Sequence, residues 1–174
     1  MSCLYLGSIK KINEDGGKPE FKNDKHLDYA YYSQGIKMKP VIQQEKTGCA
    51  IASSAALAGI SYKKAKSIAN SLGIYADDST LWSETKHIRK ILKKLNIKTG
   101  QAEISFTNWD ALPARALLAI KWHLENGQPF WHWVVYVREK NTRYVLDSSK
   151  RIKNNKRTDF GRIKPKWYIK INET

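Results

Sequence analysis

The stretch Cys49–Ala58, CAIASSAALA, constrains the fold of this chain more than any other. Small and apolar side chains of helix-forming composition fill it, and Ser53 and Ser54 are its only polar residues. A helix on a protein surface keeps a polar face in water, and this stretch has none. We therefore predict a helix that is buried on nearly all sides and that begins with a cysteine.

Apolar residues recur at helical spacing in two further segments of the first half of the chain. The first begins at Tyr62 and is stopped by Gly73. The second has Ser79 and Thr80 as candidate N-caps. The periodic residues are Tyr62, Ala65, Ile68, Ala69 and Leu72 in the first segment, and Leu81, Ile88, Leu92 and Leu95 in the second.

The second half of the chain has the composition of β-strands. Its β-branched and aromatic runs, separated by turn residues, predict strands at 97–106, 116–122, 130–137, 143–149 and 166–171. Helices followed by consecutive strands predict an α+β domain, with N-terminal helices packed on a C-terminal antiparallel sheet.

The length of 174 residues is that of one domain with a substantial core. We interpret residues 1–39 as a polar, partly ordered lead-in with a strand near 27–32, and residues 40–174 as the single domain. No window approaches the ~18 consecutive apolar residues of a membrane span, and the N-terminus lacks a signal-peptide pattern. We expect a cytoplasmic protein, or one exported without a recognisable signal peptide.

Cys3 and Cys49 are the only cysteines, too few for a disulfide framework or for a cysteine-rich metal site. We expect no metal and no cofactor. A free cysteine is most often a small core hydrophobe. Cys49, however, stands at the predicted helix start, where the helix dipole and unpaired N–H groups favour the reactive thiolate. Cys49 is therefore the candidate nucleophile.

Three more residues fit an acyl-transfer site around this thiol. His132, between two tryptophans in FWHWVV, is the candidate general base, unless it is a packed structural histidine. Asp147 ends the next predicted strand and could orient the imidazole, or simply begin a turn. Gln43, six residues before Cys49, offers a side-chain amide to the developing oxyanion, unless it is a surface glutamine like Gln44.

The remaining candidates lie around these four residues. His123 is the rival base, but it falls in a predicted loop. Gly48, Trp131 and Trp133 flank the reactive side chains in the sequence, and we expect them to contact the substrate.

The order of these residues resembles that of the papain-like cysteine peptidases. It is most similar to the peptidase domains that process the double-glycine leaders of bacteriocins. The segments PVIQQEKTGCAIA, AGISYKKAKSIANSLGI and HWVVYVREKNTRYVLDSS carry the resemblance, which covers about residues 40–150. It departs where Ala50, instead of the usual glycine, follows Cys49. The resemblance implies a papain-like fold, a peptide or protein substrate, and a thioester mechanism with Cys49, His132 and Asp147 as the catalytic triad.

A net charge of +15 favours anionic partners. The segment 150–166, KRIKNNKRTDFGRIKPK, contributes +7 of it. We expect this segment to lie apart from the chemistry, as a solvated face or as a docking strip for an acidic protein, an inhibitor or nucleic acid.

Two hypotheses about function remain open. One is a thiol peptidase. The other is an effector- or toxin-like domain that performs deamidation, transglutamination or acyl transfer, or that binds nucleic acid with the thiol secondary. Loss of all activity on alkylation of one thiol would favour the first, and salt-sensitive binding to nucleic acid would favour the second.

Overall fold

The computed structural model of this chain describes residues 38–78 and 84–172. In these ranges three helices come first: α1 Cys49–Ala58, α2 Tyr62–Ser71 and α3 Lys86–Lys94. The strands that follow are β1 Ile104–Ser105, β2 Arg115–Glu125, β3 Gln128–Glu139, β4 Thr142–Asp147, β5 Lys156–Arg157 and β6 Pro165–Lys170. The predicted strand near 27–32 and the predicted N-caps Ser79 and Thr80 lie outside the described residues.

The described strands form one antiparallel sheet with the order β1-β6-β2-β3-β4-β5. β2 and β3 form its centre as a long hairpin. Their connection, Asn126-Gly127, has positive φ at both residues (50° and 79°), as a type I′ turn requires. β4 pairs with β3 only as far as Val134, which lies opposite Asp147. Helices followed by an antiparallel sheet confirm the predicted α+β class.

The burial of α1 is confirmed, since nine of its ten residues are buried. The Ser54 hydroxyl group donates to the carbonyl of Ala50 one turn back, at 2.8 Å. The Ser53 hydroxyl group donates to the carbonyl of Trp133 on β3, at 3.3 Å. Both polar side chains therefore have partners inside the core, and the second bond joins the helix to the central strand.

Side chains alternate between the two faces of the sheet, and each face has its own core. One face packs in a cluster with α1 and carries Leu117, Ala119, Trp133, Val135 and Leu146. The other face carries Leu118, Val134, Tyr136 and Val145, covered by Trp109, Phe160 and Ile163. His132 and Asp147 lie two residues from Val134 and Val145 respectively, so strand alternation puts both on this second face.

β2 is longer than predicted. The strand expected at 116–122 runs from Arg115 to Glu125. Its register shifts after Ile120, where Lys121 has a φ of 54°, and such a bulge lets exposed polar residues continue the pairing. The prediction that His123 lies in a loop is therefore wrong.

Two other predicted segments differ from the structure. Of the strand expected at 97–106, only Ile104–Ser105 pairs as a strand, because the chain bends at residues 101–102 after an isolated bridge between Thr99 and Ile171. The basic segment 150–166 is part of the sheet, since it contains β5 and the first residues of β6.

Within residues 38–78 and 84–172, no helix has the length and apolar character needed to cross a membrane. Over the same ranges, no group of three or more His, Cys, Asp or Glu side chains is arranged to hold a metal ion.

Candidate active site

The backbone that leads into α1 passes directly against Tyr62, the first residue of α2. A β-carbon added at Gly48 would collide with the Tyr62 hydroxyl group and would lie 3.3 Å from a carboxylate oxygen of Glu45. The φ of Gly48 is −75°, which any residue can adopt, so glycine is needed here for space and not for backbone freedom. This close approach fixes the position of the start of α1, and therefore the position of Cys49, its first residue.

A polar network ties the loop at residues 43–48, the nucleophile loop, to α2. The Tyr62 hydroxyl group donates to Glu45, which also pairs with Lys66. Burial and the Glu45 carboxylate raise the pKa of Tyr62. Partial burial alone would raise the pKa of Glu45, but the hydrogen bonds from Lys66 and Tyr62 outweigh it and lower that pKa. The network therefore keeps its charges at neutral pH.

Gln43 is buried at the other end of the nucleophile loop. Its backbone N–H donates to the Ser148 carbonyl at 3.0 Å, and its side-chain oxygen accepts from the Ser148 hydroxyl group at 2.8 Å. Its side-chain nitrogen donates to the carbonyls of Glu45 at 3.0 Å and Lys46 at 2.8 Å. Gln43 therefore joins the nucleophile loop to the end of β4, and both of its amide protons are engaged within the loop.

Strand register brings His132 to Asp147. Asp147 lies opposite Val134, two residues along β3 from His132, so the two side chains are diagonal neighbours on one face of the sheet. His132 Nε2 donates to Asp147 Oδ1 at 2.8 Å. The Asp147 side chain has no exposed surface, and that of His132 is 15% exposed. The carboxylate thus holds the imidazole from inside the protein.

The thiol of Cys49 is the second partner of the imidazole. Cys49 is 7% exposed, and its thiol interacts with the His132 side chain and contributes to the raised pKa of that imidazole. Because Nε2 of His132 bonds to Asp147, Nδ1 is the ring nitrogen that remains for the Cys49 sulfur. β4 ends at Asp147, so it does not pair with β3 beside His132. At this part of β3 the helix α1 makes contact instead, because the Ser53 hydroxyl group donates to the carbonyl of Trp133. The structure therefore brings three of the predicted site residues together.

The charges of these groups support one another. Burial alone would lower the pKa of His132, but the hydrogen bonds with Asp147 and Cys49 outweigh it and raise that pKa to about 9. Burial alone would raise the pKa of Asp147, but the hydrogen bonds from His132, Ser149 and Arg157 lower it to about 2. Imidazolium and carboxylate therefore coexist at neutral pH.

Sequence reasoning missed Arg157. Its Nη1 donates to Asp147 Oδ2 at 3.1 Å, and its Nε and Nη2 donate to the two oxygens of Asp159 at 2.9 Å and 2.8 Å. β5 sets Arg157 opposite Val145, on the face that carries Asp147. The expectation that the whole basic segment lies apart from the site is therefore wrong for this residue. The only local signal is the spacing Arg-x-Asp, which allows Arg157 to pair with Asp159. That Arg157 also reaches Asp147 follows only from the pairing of β5 with β4.

Asn155 closes the turn between β4 and β5. Its side-chain amide donates to the carbonyls of Asp147 at 2.6 Å and Ser149 at 2.9 Å. Its own carbonyl accepts the N–H of Asp147 at 2.8 Å, and the N–H of Ser149 donates to Asp147 Oδ1 at 3.0 Å. Asp147 is therefore held through both its backbone and its side chain.

The other candidates lie further out. His123 is exposed, and its Nε2 pairs with Glu125 at 2.8 Å on the β2–β3 hairpin. Trp133 is 2% exposed, with its ring packed edge-on against Trp131 and Trp167 at centroid distances of 5.8 Å and 5.2 Å. Trp131 is only partly buried. Of the two tryptophans expected to meet the substrate, Trp131 is the one with accessible surface.

Comparison with known proteins identifies this architecture. No protein-family model matches the chain, and no curated protein matches it. A solved structure does match: the peptidase domain of Streptococcus ComA, a bi-functional ABC transporter involved in a quorum sensing pathway. The likeness covers 79% of this chain and 100% of that domain, with a TM-score of 0.52 and 15% sequence identity. The chain has the papain-like fold.

The predicted resemblance to papain-like peptidase domains is thereby confirmed at the level of the fold. The structural neighbour is a peptidase domain. Because a fold does not fix a function, the activity of this papain-like domain has to be argued from its own site.

Proposed function

We propose that this papain-like domain is a cysteine peptidase that cleaves a peptide bond through Cys49. One observation carries the proposal. His132 Nε2 lies 2.8 Å from Oδ1 of the fully buried Asp147 carboxylate, and the same imidazole interacts with the thiol of Cys49. A nucleophile beside a base that a third group orients is the arrangement that covalent catalysis requires. A peptide or protein is the corresponding substrate.

The reaction follows from this arrangement. The Cys49 thiolate adds to the carbonyl carbon of the scissile bond, and the carbonyl oxygen takes the negative charge. Protonated His132 gives its proton to the leaving amine as the C–N bond breaks, which leaves a thioester on Cys49. His132 then accepts a proton from the water molecule that attacks the thioester, and the carboxylic acid product departs as the thiolate reforms. Asp147 keeps the ring oriented and stabilises the imidazolium.

The start of α1 and Gln43 supply the oxyanion site in this proposal. Gly48 at the N-cap offers no side-chain cap, so the first N–H groups of the helix remain available to an anion beside Cys49. Gln43 donates to Glu45 and Lys46 in the free protein. We propose that one of the two side-chain N–H groups of Gln43 leaves its carbonyl acceptor and donates to the oxyanion when the tetrahedral intermediate forms.

A peptide acyloxymethyl ketone, which alkylates activated cysteines, tests the proposal when the modified residue is mapped by mass spectrometry. We expect label on Cys49, and we expect Cys49→Ala to abolish both labelling and peptide cleavage. His132→Gln should lower turnover by about 10⁴-fold or more, because the nucleophile and its base act as a unit. Cys3→Ala is the matched control and should leave labelling unchanged. Labelling of Cys49 that is unaffected in His132→Gln would contradict the proposal.

The products separate peptide cleavage from the other reactions that pass through a thioester. Hydrolysis of a peptide bond yields two fragments. Deamidation changes a glutamine side chain and leaves the chain intact, and acyl transfer joins the substrate to an added amine. Cys49-dependent activity without fragments would keep the thiol chemistry and replace peptidase by one of these reactions.

A further inference from the structure

Arg157 stands in a line of alternating charges that begins at the proposed nucleophile. The line runs through Cys49, His132, Asp147, Arg157 and Asp159. Its oxygen–nitrogen distances are 2.8 Å from Asp147 to His132, 3.1 Å from Asp147 to Arg157, and 2.8 Å from Asp159 to Arg157. The Arg157 side chain is 14% exposed. A charge buried to this degree is tolerated only with partners, and Arg157 has a carboxylate on each side.

The orientation of the guanidinium group is set by Asp159. Nε and Nη2 of Arg157 bond to the two carboxylate oxygens of Asp159 at 2.9 Å and 2.8 Å. Such a bidentate pair fixes the plane of the guanidinium group as well as its position. Nη1 is thereby directed at Asp147 Oδ2.

The Asp147 carboxylate has to present Oδ1 to His132. Oδ1 accepts from His132 and from the N–H of Ser149, and Oδ2 accepts from Arg157. The terminal torsion of an aspartate is broad, so its rotation is restrained mainly by such partners. Without a donor on Oδ2, the carboxylate would be held on one side only.

We propose that Arg157, oriented by Asp159, is a positioning residue that fixes the Asp147 carboxylate and, through it, the imidazole of His132. The inference rests on the proposed function, because it presumes that Asp147 orients the base. It gives the basic segment 150–166 a part in the chemistry through this one residue.

Two effects of Arg157 oppose each other at His132. As a nearby cation it disfavours the imidazolium, so its removal would raise the pKa of His132. As a hydrogen-bond donor to Asp147, it keeps the carboxylate in place to accept from His132, so its removal would lower the pKa of His132. Within residues 38–78 and 84–172, the titratable and charged groups that act on His132 are Cys49 from α1 and Asp147 from β4, and those that act on Asp147 are His132 from β3 and Arg157 from β5. The direction of the change therefore separates positioning from simple charge.

Arg157→Gln tests the proposal against Arg151→Gln, which removes the same charge from an exposed arginine of the same segment. The readouts are the NMR titration of the His132 ring, and kcat and KM on a peptide that Cys49 cleaves. We expect the pKa of His132 to fall by about one unit in Arg157→Gln and kcat to fall by about 10- to 10²-fold, as for a small misplacement of a catalytic group, with KM nearly unchanged. Arg151→Gln should match the wild type in both measurements.

Arg157→Lys separates charge from geometry and covers the case in which Arg157→Gln fails to fold. It keeps the cation but lacks the planar fork, so the titration and kcat should lie between the wild type and Arg157→Gln. A His132 pKa that stays or rises in Arg157→Gln overturns the proposal, as does wild-type behaviour of Arg157→Lys. If the wild type cleaves no peptide, the proposed function fails, and the His132 titration still decides the role of Arg157.

Discussion

The two sides of the candidate active site are built in different ways. The helical side consists of the nucleophile loop and α1, and close packing fixes it: Gly48 lies against Tyr62, and nine of the ten residues of α1 are buried. The sheet side consists of β3, β4 and β5, and hydrogen-bonded charges hold it from His132 to Asp159. The thiol is therefore placed by shape, and its partners are placed by strand register and charge.

This difference predicts different responses to perturbation. α1 has no acidic residue in its first turn and no basic residue in its last, so its position depends little on titration. The sheet side combines a histidine with a raised pKa and an aspartate with a lowered one, so its contribution to stability depends on pH. The two sides meet where Cys49 interacts with His132 and where Gln43 bonds to Ser148, but they should respond differently to changes in packing and in pH.

Among variants that keep Cys49, His132 and Asp147, we expect the largest effect at Gln43 on the helical side. Gln43→Ala should lower turnover by about 10²–10³-fold if the amide serves the oxyanion, while the rate of Cys49 alkylation stays nearly unchanged. Gln44→Ala is the matched control, because Gln44 is exposed and its contact with Lys150 uses only its backbone carbonyl. An equal loss of alkylation and turnover in Gln43→Ala would show that Gln43 acts by holding the nucleophile loop.

The sheet side should lose stability as the pH rises. The pKa of His132 is about 9 in the folded protein, above the value of about 6.5 in an unfolded chain. Its contribution is therefore complete below about pH 6.5 and is lost as the pH rises through about 9, by on the order of 3 kcal/mol. Denaturant unfolding at several pH values, with His132→Gln as the reference, measures this loss. Parallel curves for the two proteins would contradict it.

Gly48 tests the packing of the helical side by an effect that should not depend on pH. Gly48→Ala forces its new methyl group against the Tyr62 hydroxyl group, and we expect a loss of about 1–3 kcal/mol in the free energy of unfolding. Tyr62→Phe removes the colliding oxygen, so Gly48→Ala should cost less in that background. A double-mutant cycle measures the difference. Additive losses would mean that the collision is relieved in another way.

The exposed lysines of the basic segment should give the smallest effect on chemistry. Lys153 and Lys156 are exposed, and Lys156 stacks on the Tyr144 ring at 3.8 Å. Lys153→Ser with Lys156→Ser should leave turnover of a short neutral peptide within about twofold, while weakening capture of an acidic peptide in a salt-dependent way. Comparison of KM for acidic and neutral peptides at two salt concentrations measures this. A large fall in kcat on the neutral peptide would mean that these lysines also support the site.

The sequence by itself determined the helical side to a large extent, because its signals are local. An uncharged run of small residues predicts a buried helix, the cysteine stands at its start, and the glutamine lies six positions before it. The proximity of His132 and Asp147 was also predictable, because His132 lies near the start of one predicted strand, Asp147 ends the next, and a hairpin pairs neighbours in the chain. Periodicity within one segment and the pairing of consecutive strands involve residues that are close in the sequence, so they can be predicted without knowing which distant segments meet.

Only the tertiary structure decided the remaining features, because they depend on which distant segments lie side by side. The need for glycine at position 48 comes from Tyr62 on another helix. The engagement of both Gln43 amide protons comes from the way the nucleophile loop folds back on itself. Arg157 reaches Asp147 because β5 pairs with β4 in one register, and a shift of one residue would turn its side chain to the opposite face of the sheet.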